Sequence, residues 1–224
     1  GDLLICNGIF REFAKKKIKV FVMVKKSSAL QAGVMLQDIS NIRLLIFVDQ
    51  LELMIVHLIN FLALLNFEVI RLGSYGSNFI PIGTRVDQSF YDQAGLSLDL
   101  RWDNFIFARD RDKEQLLYSL LVKSQPYIFL HEDQKRDMVI NRNLIDTQSP
   151  VVEPLPEGEG FTIFDYLKII ENASEIHVIE SSFAHLIESV GIRGSKFAHR
   201  YARPLVMSDF RQTPTYRLDW HIIT

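Results

Sequence analysis

Apolar positions along this chain switch between two periods, and each switch marks an element boundary. Cys6, Ile9, Phe10 and Phe13 fall on one face of a helix read over 3–17, which Lys15, Lys16 and Lys17 close. The continuous apolar run 18–24 then reads as a strand buried on both faces. A second run at 44–48, a helix over 51–65 and a strand over 67–72 follow with short links. Such alternation predicts parallel βαβ units. A helix that opens a chain normally follows a strand in this architecture, so the expectation is an α/β chain lacking its first strand.

The pattern loosens over 73–98, where Gly73, Gly76, Pro81 and Gly83 break regular structure. This reads as a long loop with a short helix, near an acceptor site. Residues 102–108 suggest a strand and 112–122 a helix, with a domain boundary near 110. The second half repeats the alternation, with a strand at 127–130, a polar segment at 131–137, a short strand at 150–154 and a turn-rich loop at 154–160. Thr162 then caps a helix, and Asp165 stands three residues on in capping-box spacing. Ile163, Phe164, Leu167 and Ile170 form its apolar face. A strand at 176–179, a helix at 183–190 ended by Gly191 and a strand at 196–201 complete the order. The two halves share a kind of unit but no fixed-period repeat.

Composition narrows the classes. The formal charge is −2 and the hydrophobic fraction 48% over 224 residues, which gives no bulk electrostatic reason to bind nucleic acid. The one cysteine, Cys6, rules out an internal disulfide and lies on an apolar face, as buried filler does. The apolar stretch 44–70 is interrupted by Asp49, Glu52, His57, Asn60, Asn66 and Glu68, so it reads as strand, helix and strand inside a domain.

Candidate chemistry gathers after strands. The stretch Glu180, Ser181, Ser182, Phe183, Ala184, His185 follows a short apolar run and opens an amphipathic helix. Small polar residues there leave backbone N–H groups and the positive end of the helix dipole facing a ligand, a natural seat for phosphate. Gly1 and Asp2 stand directly before another amphipathic helix, a second site of the same kind. Lys135 and Arg136 follow the strand at 127–130, where a loop faces the ligand crevice of an α/β sheet.

Four of these features resemble the heptosyltransferase-like glycosyltransferases. Gly1-Asp2 before Leu3-Leu4-Ile5 looks like the family's opening "GD" turn. Tyr127-Ile128-Phe129-Leu130-His131 with Lys135-Arg136 looks like its second-domain strand and basic phosphate loop. The helix over 162–175, with its Asn172-Ala173, is similar to one ending in "NA". The stretch 180–185 is similar to the "D-[ST]-G-x-x-H" donor loop, with Glu180 where the family has Asp and Ser182 where it has Gly. The chain is also shorter than typical members.

The resemblance implies two facing Rossmann-like domains in the GT-B arrangement, an acceptor-side domain over 1–110 and a donor domain over 111–224 with a crossing C-terminal tail. It implies inverting, metal-independent transfer of a sugar from a nucleotide-sugar donor to a glycan or lipid-linked acceptor, with no cofactor, in the cytoplasm or at the inner membrane surface. Asp2 is then the general base. His131, Lys135, Arg136, Glu180, Ser181, Ser182 and His185 bind the donor.

Each assignment has a plainer counterpart. Asp2 suits an N-cap, Lys135 and Arg136 a solvated loop neutralised by Glu132, Asp133 and Asp137, Ser181 and Ser182 a helix start, and His185 a packed ring. Asp110-Arg111-Asp112 matches a metal-binding D-x-D pattern but opens a helix, where acidic residues are favoured anyway. The basic, aromatic stretch 196–220 suits either an anionic ligand or a tail packed on the first domain, and the packed tail is the expectation for Trp220. Lys15, Lys16 and Lys17 complement a helix dipole and could also serve a peripheral contact with an anionic membrane. Beside the transferase stand two other readings, an epimerase or hydrolase of nucleotide sugars and a non-catalytic binding protein on the same scaffold.

Overall fold

The computed structural model describes residues 1–16, 18–48, 50, 54, 57, 58, 61, 62, 68–72, 85–145, 148–156, 158–203 and 215–224. The chain is α/β with parallel sheets. It divides into two compact units, one of Gly1, Arg109–Asp209 and Tyr216–Thr224, the other of Asp2–Ala108 and Phe210–Thr215.

In the unit of Asp2–Ala108, two parallel strands, β1 (Val20–Lys25) and β2 (Ile42–Phe47), pair from Val20 with Ile42 to Lys25 with Phe47. β1 alternates, with Val22 and Val24 buried and Phe21 exposed, so the expected burial on both faces does not hold. The opening helical run is two pieces, Asp2–Ile5 and Asn7–Lys15, joined at Cys6. Ile5, Cys6 and Ile9 pack with Phe90 and Tyr91 of the helix Val86–Gln93, and Tyr91 Oη donates to the Ile5 carbonyl at 2.9 Å. Burial raises the Cys6 thiol pKa far above its ordinary value, as inert filler requires. A Cβ at Gly8 would lie 2.1 Å from the Leu100 carbonyl oxygen, so the helices Asn7–Lys15 and Leu100–Asp103 approach at a distance only glycine permits.

The strand read over 102–108 is absent. Leu100–Asp103 is a helix turn, and residues 105–110 have no regular structure. The reason is a side chain: Asn7 Oδ1 accepts from the Ile106 amide and Asn7 Nδ2 donates to its carbonyl, so the backbone is satisfied without a ladder. Residues 68–72 are likewise not in a strand. Of the helix read over 51–65, residues 54, 57, 58, 61 and 62 are helical; the rest of it, and 73–84, lie outside the described residues.

The other unit is built on five parallel strands in the order β4-β3-β5-β6-β7, comprising β3 (Ile128–His131), β4 (Val151–Val152), β5 (Glu175–Val178), β6 (Ser195–His199) and β7 (His221–Ile223). The chain leaves β3 to one side for β4, then returns past β3 to β5, β6 and β7. Ile128, Phe129 and Leu130 are buried at the centre of the sheet, as a strand flanked on both edges demands. Asp110 Oδ1 caps the helix Arg111–Leu121 by accepting from the Lys113 amide. The Thr162–Asp165 capping box forms as read, opening a 3-10 turn that runs into the helix Leu167–Asn172. Gly191, at φ 77°, stops the helix Ser182–Val190 in the left-handed conformation.

In the tail, Trp220 Nε1 donates to Glu188 of the same unit at 2.8 Å. Glu188, buried in the helix Ser182–Val190, also accepts from the Arg217 and Leu218 amides. A buried carboxylate that needs donors thus fixes the chain entering β7.

Candidate functional site

In a doubly wound sheet, ligands bind beyond the carboxyl ends of the strands where the strand order reverses. Here the reversal lies between β3 and β5. His131 is the last residue of β3, and Ser181 follows β5 as the N-cap residue of the helix Ser182–Val190. Ser181 occupies the cap position with extended backbone, but its side chain does not cap the helix. Its Oγ instead meets His131 Nδ1 at 3.1 Å. The imidazole leans on the Phe183 ring, centroids 4.5 Å apart, and Phe183 packs in turn on Phe129 and Tyr166. Burial pushes the His131 pKa down to about 4, against the opposing pull of Asp133 and Glu132. At neutral pH the ring is therefore uncharged, with one nitrogen donating and one accepting.

The remaining residues read as donor-binding distribute unevenly around this pair. Ser182 opens the helix, and its Oγ accepts from the Gly1 amino group at 2.9 Å. His185, one turn further on, is buried beside Gly1, as the packed-ring counterpart expects. Glu180 is half-buried, and its carbonyl accepts from Arg203 Nη1 at 2.7 Å. Lys135 and Arg136 lie in the 3-10 turn Gln134–Arg136, just past β3, and both are exposed. Arg136 Nε donates to Asp133 Oδ2 at 2.6 Å, so much of its charge is met within the turn. Carboxylates organise the whole loop, since Glu132 accepts from the Ile140 amide and from Arg142. Asp2, the residue read as base, is exposed in the first turn of its short helix.

Of two further features, the first was left open in the sequence as part of the basic stretch 196–220 and the second went unread. Arg203 reaches the loop after β5 from beyond β6, adding a guanidinium to the carboxyl edge. Its signal was only a basic residue a few positions past a strand. The second is a line of hydrogen bonds from Glu175 through His177 and His199 to Tyr201. Histidines at alternate positions of adjacent strands were its trace.

Among the described residues no cluster of three or more His, Cys, Asp or Glu side chains could hold a metal ion, and no helix is long and apolar enough to cross a membrane. Compared with known proteins, the chain matches no family model, no curated protein and no solved structure. What the edge can do chemically therefore rests on its own groups. A neutral histidine, a hydroxyl held against it, the first-turn amides of a nine-residue helix and an arginine together suit an anionic, phosphate-bearing ligand.

Proposed function

We propose that this chain is a glycosyltransferase that moves a sugar from a nucleotide-sugar donor to a glycan or lipid-linked acceptor. The observation that carries the reading is the Ser181 hydroxyl turned from its helix to His131 at the reversal of the strand order. With the cap residue's side chain engaged there, the first-turn amides and the dipole of the helix Ser182–Val190 are available to the donor's diphosphate, with Arg203 as a neighbouring cation. The reading includes the GT-B arrangement of two facing Rossmann-like domains, a cytoplasmic setting, and Asp2 as the base that deprotonates the acceptor hydroxyl.

Thermal melting against a panel of nucleoside diphosphates and their sugars tests the donor site, because a ligand bound only by the folded chain raises its Tm. Nucleoside diphosphates are expected to raise it, and Ser181→Ala to shrink the rise. No shift with any member of the panel sinks the proposal. Donor incubated without acceptor separates the rivals: free sugar or an epimer as main product indicates a hydrolase or epimerase, and binding without turnover a non-catalytic protein.

For Asp2→Ala the expected result is a drop in transfer of about a hundredfold or more with donor affinity retained, the size usual for a lost general base. Undiminished turnover removes Asp2 from that role.

A further inference from the structure

Glu175 and His177 alternate along β5, Phe197 and His199 along β6, and His177 pairs with Phe197 in the parallel register. All four side chains therefore stand on one face of the sheet. His177 and His199 are buried, 1% and 0% exposed, with the His177 ring stacked on Phe197 at 4.4 Å. Glu175 Oε2 lies 2.9 Å from His177 Nε2, His177 Nδ1 lies 2.9 Å from His199 Nε2, and His199 Nδ1 lies 3.1 Å from Tyr201 Oη. The Asn141 amide donates to the same phenol oxygen at 2.8 Å. Asn141 belongs to the loop after β3, so Tyr201 reaches from the end of β6 to the far side of β5, the strand whose end carries Ser181.

The direction of every proton in this line follows from its first member. A carboxylate only accepts, so His177 carries its proton on Nε2. A neutral ring then has a bare Nδ1, which accepts from His199 Nε2–H. His199 Nδ1 is bare in turn and draws the Tyr201 hydroxyl proton inward. Burial depresses both imidazole pKa values, that of His199 to about 4, which keeps the rings neutral at neutral pH. An imidazolium at His177 would reverse the whole line. Tyr201 is 37% exposed, and what its oxygen has left for the outside is a lone pair.

We propose that this line makes Tyr201 an acceptor-only group at the carboxyl edge, selecting a ligand hydroxyl on the ribose or the sugar of the donor over a phosphate oxygen. The ligand rests on the sugar-transfer reading; the polarity of the line does not. A phosphate oxygen brought to Tyr201 would set acceptor against acceptor, whereas a hydroxyl completes the line with one more donor.

The test has two arms. Histidine 15N spectra at neutral pH are expected to show His177 and His199 neutral with the proton on Nε2, and Glu175→Gln, whose amide can also donate, to give mixed tautomers. An Nδ1 proton on either ring of the unmodified chain overturns the polarity. Calorimetry then compares Tyr201→Phe with the parent chain for pyrophosphate, for ADP and UDP, and for ADP-glucose and UDP-glucose. Affinity for the nucleotide ligands is expected to fall about five- to tenfold while pyrophosphate is unchanged. A loss that starts with ADP or UDP assigns the ribose, and one confined to the glucose forms assigns the sugar. Equal losses for pyrophosphate, or none at all, overturn the selection. Should the parent chain bind no probe, the sugar-transfer reading and the ligand fall together, and the spectra alone decide the polarity.

Discussion

Replacing Asp87 by alanine is expected to destabilise its unit by about 3–5 kcal/mol, the usual cost of stranding one partner of a buried ion pair. Asp87 and Arg101 are both fully buried, and Arg101 Nη1 donates to Asp87 Oδ2. The Thr215 amide donates to that same oxygen at 2.9 Å, and Arg101 Nη1 donates to the Thr215 carbonyl at 3.0 Å. One carboxylate thus ties together the helix Val86–Gln93, the turn Leu100–Asp103 and a residue more than a hundred positions later. Alanine would leave the guanidinium in a dry interior with its main counter-charge gone. The buried pair is not itself expected to be a large net gain, because desolvating two charges offsets most of their attraction. The double change Asp87→Leu with Arg101→Met should therefore recover much of the loss. Urea unfolding of the parent chain and the two variants measures both effects. A single-variant loss below about 1 kcal/mol would mean that water or a shifted neighbour already screens Arg101.

The same triangle shows why only part of this molecule could be read from its sequence. Features set by neighbours within a turn were legible. The Thr162–Asp165 box forms three residues apart, and Gly191 stops the helix whose apolar face repeats Phe183, Leu186, Ile187 and Val190. The parallel strands were legible because a run such as Ile128, Phe129, Leu130 has few other places to go. Features set by distant polar partners were not. Residues 102–108 have the composition of a strand, yet Asn7 satisfies the backbone at Ile106 from ninety-nine positions away. The partner of Trp220 was equally hidden, because nothing near it in sequence announces Glu188. At the candidate site, residue types and their place after β3 and β5 could be read. That Ser181 turns to His131 and not to its own helix could not, since a serine before a helix carries the same local signal in both cases.

Acid is expected to weaken the five-stranded unit well before its carboxylates are titrated out, and histidines are the reason. Burial lowers the pKa of His199 to about 4, with the neighbouring His177 pushing the same way. It also lowers His177, against the opposing pull of Glu175, and takes His131 to about 4. In the unfolded chain these rings take up protons near the ordinary histidine value of about 6.5. Between those pH values the unfolded state binds more protons than the folded one, so stability falls as pH falls. The contribution is fully present above about pH 6.5, is lost progressively down to about 4, and then levels off. For His199 alone the difference amounts to about 3 kcal/mol, a substantial part of an ordinary domain's stability. Denaturant unfolding at a series of pH values should show this slope, and the His199 resonances should titrate near pH 4 in the folded chain. A His199 midpoint near 6.5 would mean that the ring takes a second proton without penalty. In that case neither the acid sensitivity nor the fixed polarity of the line to Tyr201 could stand, because both depend on an imidazole kept neutral by its surroundings.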